Sequence, residues 1–149
     1  MFKKVCIIGC GLIGSSLARA IKKNNLAEKI VSSNRSDATN KKVIELKIVD
    51  DSNSDIKKMA DGSDLVVIAT PLSSYEDVIS KIKNSLKNEV ILTDVGSVKE
   101  NIINLVEKNI PENISWISSH PIAGTEESGA EAGFSELFQN RWCILTPSK

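Results

Sequence analysis

The sequence predicts an α/β fold, a doubly wound and mainly parallel sheet with helices on both faces. Three observations predict it. Short apolar runs alternate with longer stretches whose apolar residues recur at helical spacing. The runs are continuous and rich in Val and Ile, as expected of parallel strands buried on both faces. A glycine-rich turn joins the first run to the first helical stretch, and the 149-residue length suits one domain.

Six apolar runs are the predicted strands. Apolar and polar residues do not alternate within them, which predicts burial on both faces rather than on one. Because strands and helices take turns with short connections, we expect right-handed crossovers between parallel strands. The predicted strands cover residues 5–8, 29–33, 65–68, 90–93, 114–118 and 142–145.

Helices are predicted where apolar residues recur every three or four positions, which places one apolar stripe against the sheet. The polar stretches 32–40 and 50–55 are predicted to be exposed loops. The predicted helices cover residues 13–21, 43–46, 79–86 and 98–106.

Two helix starts are predicted from capping boxes, in which a serine and a glutamate three residues later each bond a free backbone N–H group. Ser73 with Glu76 forms one such pair, and Ser97 with Glu100 forms the other. Both pairs directly follow predicted strands, so both helices are expected to begin at the serine.

The charge balance excludes several classes of partner. The 19 Lys and Arg residues match the 19 Asp and Glu residues, so the formal net charge at pH 7 is zero. Such a chain has no general attraction for nucleic acid or anionic membranes, and neither is expected as a partner. No apolar run approaches the roughly 20 residues of a membrane helix. A small-molecule partner held by a local site is therefore favoured.

Three cysteines, Cys6, Cys10 and Cys143, lie in or beside apolar runs and show no short pairing. This pattern predicts buried, unpaired thiols in a reducing compartment. The apolar run after the N-terminal lysines is too short for a secretory signal, so a cytoplasmic location is expected. No metal-binding motif is present in the sequence, and no metal is expected.

Gly9, Gly11 and Gly14 have the spacing G-x-G-x-x-G at the junction between the first predicted strand and the first helix. In that context Gly9 permits a tight turn, Gly11 lets the backbone approach a pyrophosphate, and Gly14 lets the helix pack closely on the strand. Leu12 and Ile13 belong to the first helical turn, whose free backbone N–H groups would face the negative charge of the pyrophosphate. The motif therefore predicts a Rossmann-type, dinucleotide-binding domain over residues 1–149.

Asn34 stands where NAD-binding proteins place an acid that bonds the ribose 2′-hydroxyl, about twenty residues after the glycine loop. A neutral amide would not repel a 2′-phosphate, and the guanidinium of Arg35 would bind one. Asn34, Arg35 and Ser36 are therefore predicted cofactor-binding residues, with NADP favoured over NAD. The alternative is that Arg35 is a solvated loop residue and that the cofactor is NAD.

Small polar residues end three further predicted strands, at 69–71, 94–97 and 118–121, on the edge of the sheet where ligands bind. Ala69, Thr70 and Pro71 end the third predicted strand and are expected to contact the cofactor. Ser97 follows the fourth and is expected beside the nicotinamide and the substrate. Its match to a capping box leaves a purely structural role open.

His120 is the only histidine of the sequence, and it ends the fifth predicted strand. Pro121 restricts it to an extended backbone. A neutral imidazole is ordinarily protonated at about pH 6.5, so it can accept the proton of a hydroxyl group while hydride leaves the carbon that carries this hydroxyl. With the glycine loop upstream, this role is favoured over that of an ordinary surface or core histidine. His120 is therefore the predicted general base of an alcohol dehydrogenation.

The motifs described above lie in five segments: Gly9-Cys-Gly-Leu-Ile-Gly-Ser-Ser-Leu-Ala18, Ala69-Thr-Pro71, Thr93-Asp-Val-Gly-Ser-Val-Lys99, His120-Pro-Ile-Ala-Gly-Thr-Glu126 and Trp142-Cys-Ile-Leu-Thr-Pro147. Together they resemble the nucleotide-binding domain of the prephenate and arogenate dehydrogenases of tyrosine biosynthesis. The resemblance covers nearly the whole chain, and the histidine segment is its most specific part.

The resemblance implies an oxidoreductase that oxidatively decarboxylates prephenate or arogenate with NAD or NADP. It implies that His120 takes the proton of the ring hydroxyl while hydride passes to the nicotinamide. It also implies that Ser97 lies between nicotinamide and substrate and that Thr125 and Glu126 line the substrate end of the crevice. The stretch around Asn34 departs from the acid-bearing NAD version, in agreement with the charge argument.

The family that the chain resembles also has a mostly helical C-terminal domain. This domain forms a homodimer and binds the substrate carboxylate with cationic residues. This chain ends before it, so we expect nucleotide binding with poor turnover, and a homodimer for the full-length protein. One alternative is a regulatory nucleotide-binding module, which needs no base at position 120. Another is a different β-hydroxyacid dehydrogenase with a lysine base, to which Ser119-His120-Pro121 is a poor fit.

Overall fold

A computed structural model describes residues 1–147, and within them no helix is long and apolar enough to cross a membrane. The same residues hold no group of three or more His, Cys, Asp or Glu that could bind a metal ion. In chain order the elements are β1 (Phe2–Ile8), α1 (Leu12–Lys23), β2 (Ala27–Ser33), α2 (Asp37–Glu45), β3 (Asp51–Ser52), α3 (Ile56–Ala60), β4 (Leu65–Ile68), a 3₁₀ turn (Leu72–Ser74), α4 (Tyr75–Ile82), β5 (Ile91–Asp94), α5 (Glu100–Asn109), β6 (Ser115–Pro121) and β7 (Cys143–Pro147).

The strands form one sheet in the order β3-β2-β1-β4-β5-β6-β7. Pairing is parallel from β3 through β6, whereas β7 runs antiparallel to β6. Because the chain builds outward from β1 first on one side and then on the other, the strand order reverses between β1 and β4. This topology confirms the predicted doubly wound, mainly parallel fold. It places the ligand crevice outside the carboxyl ends of β1 and β4.

The residues of β1 alternate between two hydrophobic cores, one on each face of the sheet. Cys6 and Ile8 pack into the core that contains residues of α4 and α5, and Val5 and Ile7 pack into the core that contains residues of α1. All four are at most 2% exposed. Burial of each Val or Ile side chain contributes about 1.5–3 kcal/mol. Burial on both faces explains why the strand sequence is continuously apolar.

The two predicted capping boxes are wrong, because neither α4 nor α5 begins with a side-chain cap. A 3₁₀ turn precedes α4, which begins at Tyr75 rather than at Ser73. α5 begins at Glu100, three residues after Ser97. The intervening turn is bound instead to the side chain of Asp94. Ser97 is therefore not a helix cap.

The polar stretches predicted as exposed loops contain buried secondary structure. Ser32 and Ser33 end β2 and are at most 5% exposed, and Asn40 within α2 is 6% exposed. The side chain of Ser36 caps α2 by accepting the N–H of Thr39. The second stretch contains the short strand β3. Residues 35–38, 50, 54 and 55 are exposed as predicted, whereas the buried polar residues form an internal hydrogen-bond network.

β7 confirms the last predicted strand but leaves much of its apolar surface uncovered. It pairs with β6 from Pro147 opposite Ile117 to Cys143 opposite Pro121. Trp142 is 80% exposed and Leu145 is 62% exposed in the described structure. Cys143 is also exposed, so the prediction of buried thiols is wrong for this residue, although it is right for the other two cysteines.

We expect Cys143 to react with thiol reagents far faster than the buried cysteines. Burial raises the pKa of Cys6 to about 12 and that of Cys10 to about 11, and the thiolate is the reactive form. Titration of the folded chain with a chromogenic disulfide should give one fast equivalent, and unfolding should release the other two. Cys143→Ser should remove the fast equivalent. A fast equivalent that survives this substitution would contradict the expectation.

Candidate functional site

The glycine turn between β1 and α1 is built from very close backbone contacts. Gly9 has φ +95°, and a Cβ there would lie 2.8 Å from the carbonyl oxygen of Ala69. A Cβ on Gly14 would lie 2.1 Å from the carbonyl oxygen of Gly9. Around the position of a Cβ on Gly11, by contrast, no heavy atom lies within 4 Å. Gly9 and Gly14 thus set the shape of the turn, and Gly11 leaves space for a ligand.

A cavity of about 810 Å³ opens beside this turn at the carboxyl ends of β1, β2 and β4. The cavity lining does not include Leu12, Ile13 and Gly14, which form the first turn of α1. Gly11, the N-cap of this helix, has no side chain, so the N–H groups of that turn have no side-chain cap. Those N–H groups are the donors that an anion would use. The predicted cofactor residues that line the cavity are Gly9, Gly11, Asn34, Arg35, Ser36, Ala69, Thr70 and Pro71.

Thr70 adds an unsatisfied polar atom to the cavity wall. Its Oγ1 is buried and has no hydrogen-bond partner in the described chain. Buried hydroxyl groups are nearly always bonded, so this one points to a missing partner. The open space at Gly11 and the N–H groups of α1 supply complementary features. The residues present therefore fit a nucleotide whose phosphates lie over the start of α1.

The side chain of Asn34 is engaged in a buried network rather than directed at a ligand. Its Oδ1 accepts the N–H of Cys10 at 2.6 Å, and its Nδ2 donates to Asn40 Oδ1 at 3.0 Å. Nδ2 also lies 3.2 Å from the hydroxyl oxygens of Ser32 and Ser52. An amide can accept and donate in this way, whereas a carboxylate can only accept. Asn34 thus ties the glycine turn to the end of β2.

The rim of the cavity carries an excess of positive charge. Arg35 and Lys57 both line it, and neither forms an ion pair within residues 1–147. Asp55 also lines it, but its carboxylate caps α3 by accepting two backbone N–H groups. Lys81 and Asp77 neutralise each other at 2.6 Å. With Lys81 and Asp77 paired, Arg35 and Lys57 outnumber the carboxylate of Asp55, so the rim favours an anionic group.

The predicted catalytic residues lie outside the cavity, further along the same edge of the sheet. His120 lies near the carboxyl end of β6, three strands from β1, a separation of roughly 14 Å at the usual strand spacing. It is half-buried and pairs with Ile144 of β7. Ser97 is exposed in the turn after β5, the neighbouring strand. The fold therefore brings His120 and Ser97 to adjacent strand ends.

Thr125 and Glu126 lie in the segment that follows β6, where both are exposed. The hydroxyl of Thr125 accepts the N–H of Glu127 at 3.2 Å, which makes a local turn. Neither residue lines the cavity. Their contact with substrate stays a prediction.

Asp94 and the partly buried Lys99 form an ion pair that no sequence motif predicted. The Asp94 carboxylate is fully buried, and Lys99 Nζ lies 2.7 Å from one of its oxygens. Tyr75 donates its hydroxyl to the same carboxylate at 3.1 Å. Burial and the Asp94 charge raise the pKa of Tyr75, which keeps the phenol protonated as a donor. An acid at the end of an apolar strand was the available signal, because a buried carboxylate requires partners.

A distant part of the chain also reaches the cavity. Gly129 and Ala130 line it, although they follow β6 by many residues. The segment then crosses α1, where the N–H of Phe134 donates to Ser16 Oγ at 3.1 Å. No local motif predicts this contact, because it depends on how the connection between β6 and β7 folds back over the sheet.

Residues 17–149 match the sequence family described as "Prephenate dehydrogenase, nucleotide-binding domain". The chain belongs to this prephenate dehydrogenase family. It is 39% identical over 147 residues to the cyclohexadienyl dehydrogenase of Zymomonas mobilis, and 32% identical over 146 residues to the prephenate dehydrogenase of Bacillus subtilis. These alignments cover 99% and 97% of this chain but 50% and 39% of the relatives. The chain thus spans half or less of the length of these two relatives.

Solved structures agree with the family assignment. The prephenate dehydrogenase of A. aeolicus, crystallised with hydroxyphenyl propionate and NAD+, gives a TM-score of 0.91 at 28% identity over 100% of this chain and 52% of that one. The arogenate dehydrogenase of Synechocystis gives 0.86 at 28% identity, over 98% of this chain and 50% of that one. The fold is therefore the Rossmann-type fold of prephenate dehydrogenase nucleotide-binding domains, an oxidoreductase family.

Proposed function

We propose that this chain is the nucleotide-binding part of an enzyme that oxidatively decarboxylates prephenate or arogenate. The observation that carries the proposal is the placement of the glycine turn and His120 at one edge of a sheet whose strand order reverses between β1 and β4. The glycine turn and the first turn of α1 would hold the phosphates of a dinucleotide. The bound nicotinamide supplies the hydride acceptor.

His120 acts as the general base in this proposal. The C–H bond of the carbinol carbon breaks with departure of hydride, while an imidazole nitrogen takes the hydroxyl proton. The electron pair of the C–CO₂ bond enters the ring, carbon dioxide leaves, and the proton returns to the phenol oxygen. Ser97, on the adjacent strand end, contacts the reacting ring, and Thr125 and Glu126 line the substrate end.

We also propose that NADP is favoured over NAD. Arg35 and Lys57 supply cations at the rim without carboxylate partners, and Asn34 places no negative charge at the end of β2. A 2′-phosphate would form charge-assisted hydrogen bonds with the guanidinium. NAD is the alternative, and the A. aeolicus neighbour was crystallised with NAD+.

We expect Arg35→Ala to weaken NADP binding about tenfold, or roughly 1.4 kcal/mol, and to change NAD binding little. Isothermal titration of the 149-residue chain with each nucleotide measures both effects. Lys29→Ala is the control, because Lys29 is an exposed cation of β2 that does not line the cavity. Tighter binding of NAD than NADP by the parent chain, or equal losses for both nucleotides, would refute the NADP proposal.

The relatives are about twice as long as this chain or longer, and we propose a two-part enzyme on that basis. In a longer protein, a mostly helical C-terminal domain would form a homodimer and supply cations to the substrate carboxylate. The 149-residue chain alone is then expected to bind nucleotide and to turn over substrate slowly or not at all. Its small-molecule partner is prephenate or arogenate, and its location is the cytoplasm.

An assay of nucleotide reduction tests the proposed function. The longer protein and the 149-residue chain are each mixed with prephenate or arogenate and with NADP or NAD, and reduced nucleotide and carbon dioxide are measured. Equal amounts of both products are expected from the longer protein. No product from either substrate would overturn the proposed function, and rapid turnover by the short chain would overturn the two-part arrangement.

A further inference from the structure

The backbone ladder between β5 and β6 stops before it reaches His120. Its last pair joins Thr93 to Ile117. Beyond that pair β6 stays paired with β7, but on its side facing β5 it is held by side chains. The N–H of Ser119 donates to Asp94 Oδ1 at 3.0 Å, and Lys99 Nζ donates to the carbonyl oxygen of Ser119 at 2.7 Å. Both backbone polar groups of the residue before His120 are therefore bound by one ion pair.

The donors of Lys99 are fully used by these contacts. Its Nζ lies within 3.0 Å of both Asp94 carboxylate oxygens, of Ser118 Oγ and of the Ser119 carbonyl oxygen. An ammonium group has only three protons. Lys99 thus has no donor left for a substrate carboxylate. Its place in the site is structural support for neighbouring residues.

Asp94 connects the end of β6 to α4 and to the turn after β5. One carboxylate oxygen accepts the hydroxyl of Tyr75 in α4 at 3.1 Å and the N–H of Gly96 at 3.0 Å. Gly96 immediately precedes Ser97. The side-chain hydroxyl of Ser119 donates to the main-chain oxygen of Asp94. The turn that carries Ser97 and the strand that carries His120 are therefore bound to one buried carboxylate.

We propose that Asp94 and Lys99 are positioning residues that hold Ser119, and through it His120, at a single place on the carboxyl edge beside the Ser97 turn. The importance of this role for catalysis rests on the proposed function of His120. The positioning itself does not require turnover, so it can be tested in the nucleotide-binding chain alone.

The test uses the fact that His120 is the only histidine of the sequence. The Hε1 proton of its ring gives one resolved NMR signal when the ring is held in a single conformation. Three variants are compared: Lys99→Met, Lys99→Arg, and a double variant that carries both Asp94→Asn and Lys99→Met. The thermal midpoint of each is recorded. The double variant is needed because Lys99→Met leaves a buried charge unpaired and can unfold the chain.

The expected result separates positioning from stability. The double variant contains no unpaired charge, so its thermal midpoint should recover at least half of what Lys99→Met loses. Its Ser119 carbonyl still lacks a donor, so the His120 signal should split into two or more signals or broaden at least twofold. Lys99→Arg retains a cationic donor and should keep one signal, which would be rescue by the conservative variant.

Lys87→Met is the matched control, because Lys87 also pairs with an aspartate, Asp64, but at an exposed position remote from His120. It should leave the His120 signal unchanged. A single, unshifted His120 signal in the double variant would overturn the proposal, as would equal changes in the Lys87 control. Loss of turnover in the full-length enzyme would test His120 as a base, a separate question from whether its ring is held in one position.

Discussion

In the proposed two-part enzyme, His120→Asn is expected to lower kcat by about 10²- to 10⁴-fold, the usual contribution of a general base. The reason is that an amide cannot take the hydroxyl proton at neutral pH. Asn is similar in size and extended backbone suits it, so the pairing of residue 120 with Ile144 should persist. Initial rates of nucleotide reduction at saturating substrate measure the loss.

Nucleotide affinity provides the internal control for this variant. His120 does not line the cavity beside the glycine turn, so the dissociation constant of the nucleotide should stay within about twofold, less than 0.5 kcal/mol. A variant that retains most of its kcat would show that another group accepts the proton. An equal loss of nucleotide affinity would indicate misfolding rather than loss of a base.

Gly14→Ala is expected to destabilise the chain by about 2–3 kcal/mol, because its Cβ would overlap the backbone at 2.1 Å from the carbonyl oxygen of Gly9. The clash involves two backbone segments, so no side-chain rotation relieves it. For a domain of this size the thermal midpoint should fall by roughly 6–10 °C. Circular dichroism during heating measures the change.

Gly11→Ala is the matched variant for Gly14→Ala. A Cβ on Gly11 meets nothing within 4 Å of the protein, so the thermal midpoint should be nearly unchanged. The methyl group projects into the space assigned to the phosphates, so nucleotide binding should weaken at least tenfold, about 1.4 kcal/mol. Gly124→Ala, also free of contacts within 4 Å, should change neither quantity. Equal stability losses at Gly11 and Gly14 would contradict the assigned packing roles.

Much of the fold was predictable because its signals are local. The apolar run of β1 and the glycine turn are adjacent in the sequence, and each has the structure that its spacing predicts. The helix starts failed because a capping box competes with tertiary contacts. At Ser97, the turn bonds to Asp94 more extensively than a serine cap would bond to the helix.

The candidate site was predictable only in part, for a related reason. Arg35 lies directly after β2, so its distance along the chain from the glycine loop was sufficient to predict it as a rim residue. Asn40 and Ser52 complete the network of Asn34 from two other elements. Lys57 reaches the cavity from α3. These contacts arise only when separate elements fold together, and no spacing within one segment encodes them.

The exposed apolar residues of β7 have a practical consequence for the isolated chain. β7 is the last strand of the described sheet, so its outer side offers unpaired N–H and C=O groups next to Ile144 and Leu145, which are 53% and 62% exposed. An open ladder of this kind can template the addition of a strand from another molecule. We therefore expect the isolated chain to self-associate through this edge as its concentration rises.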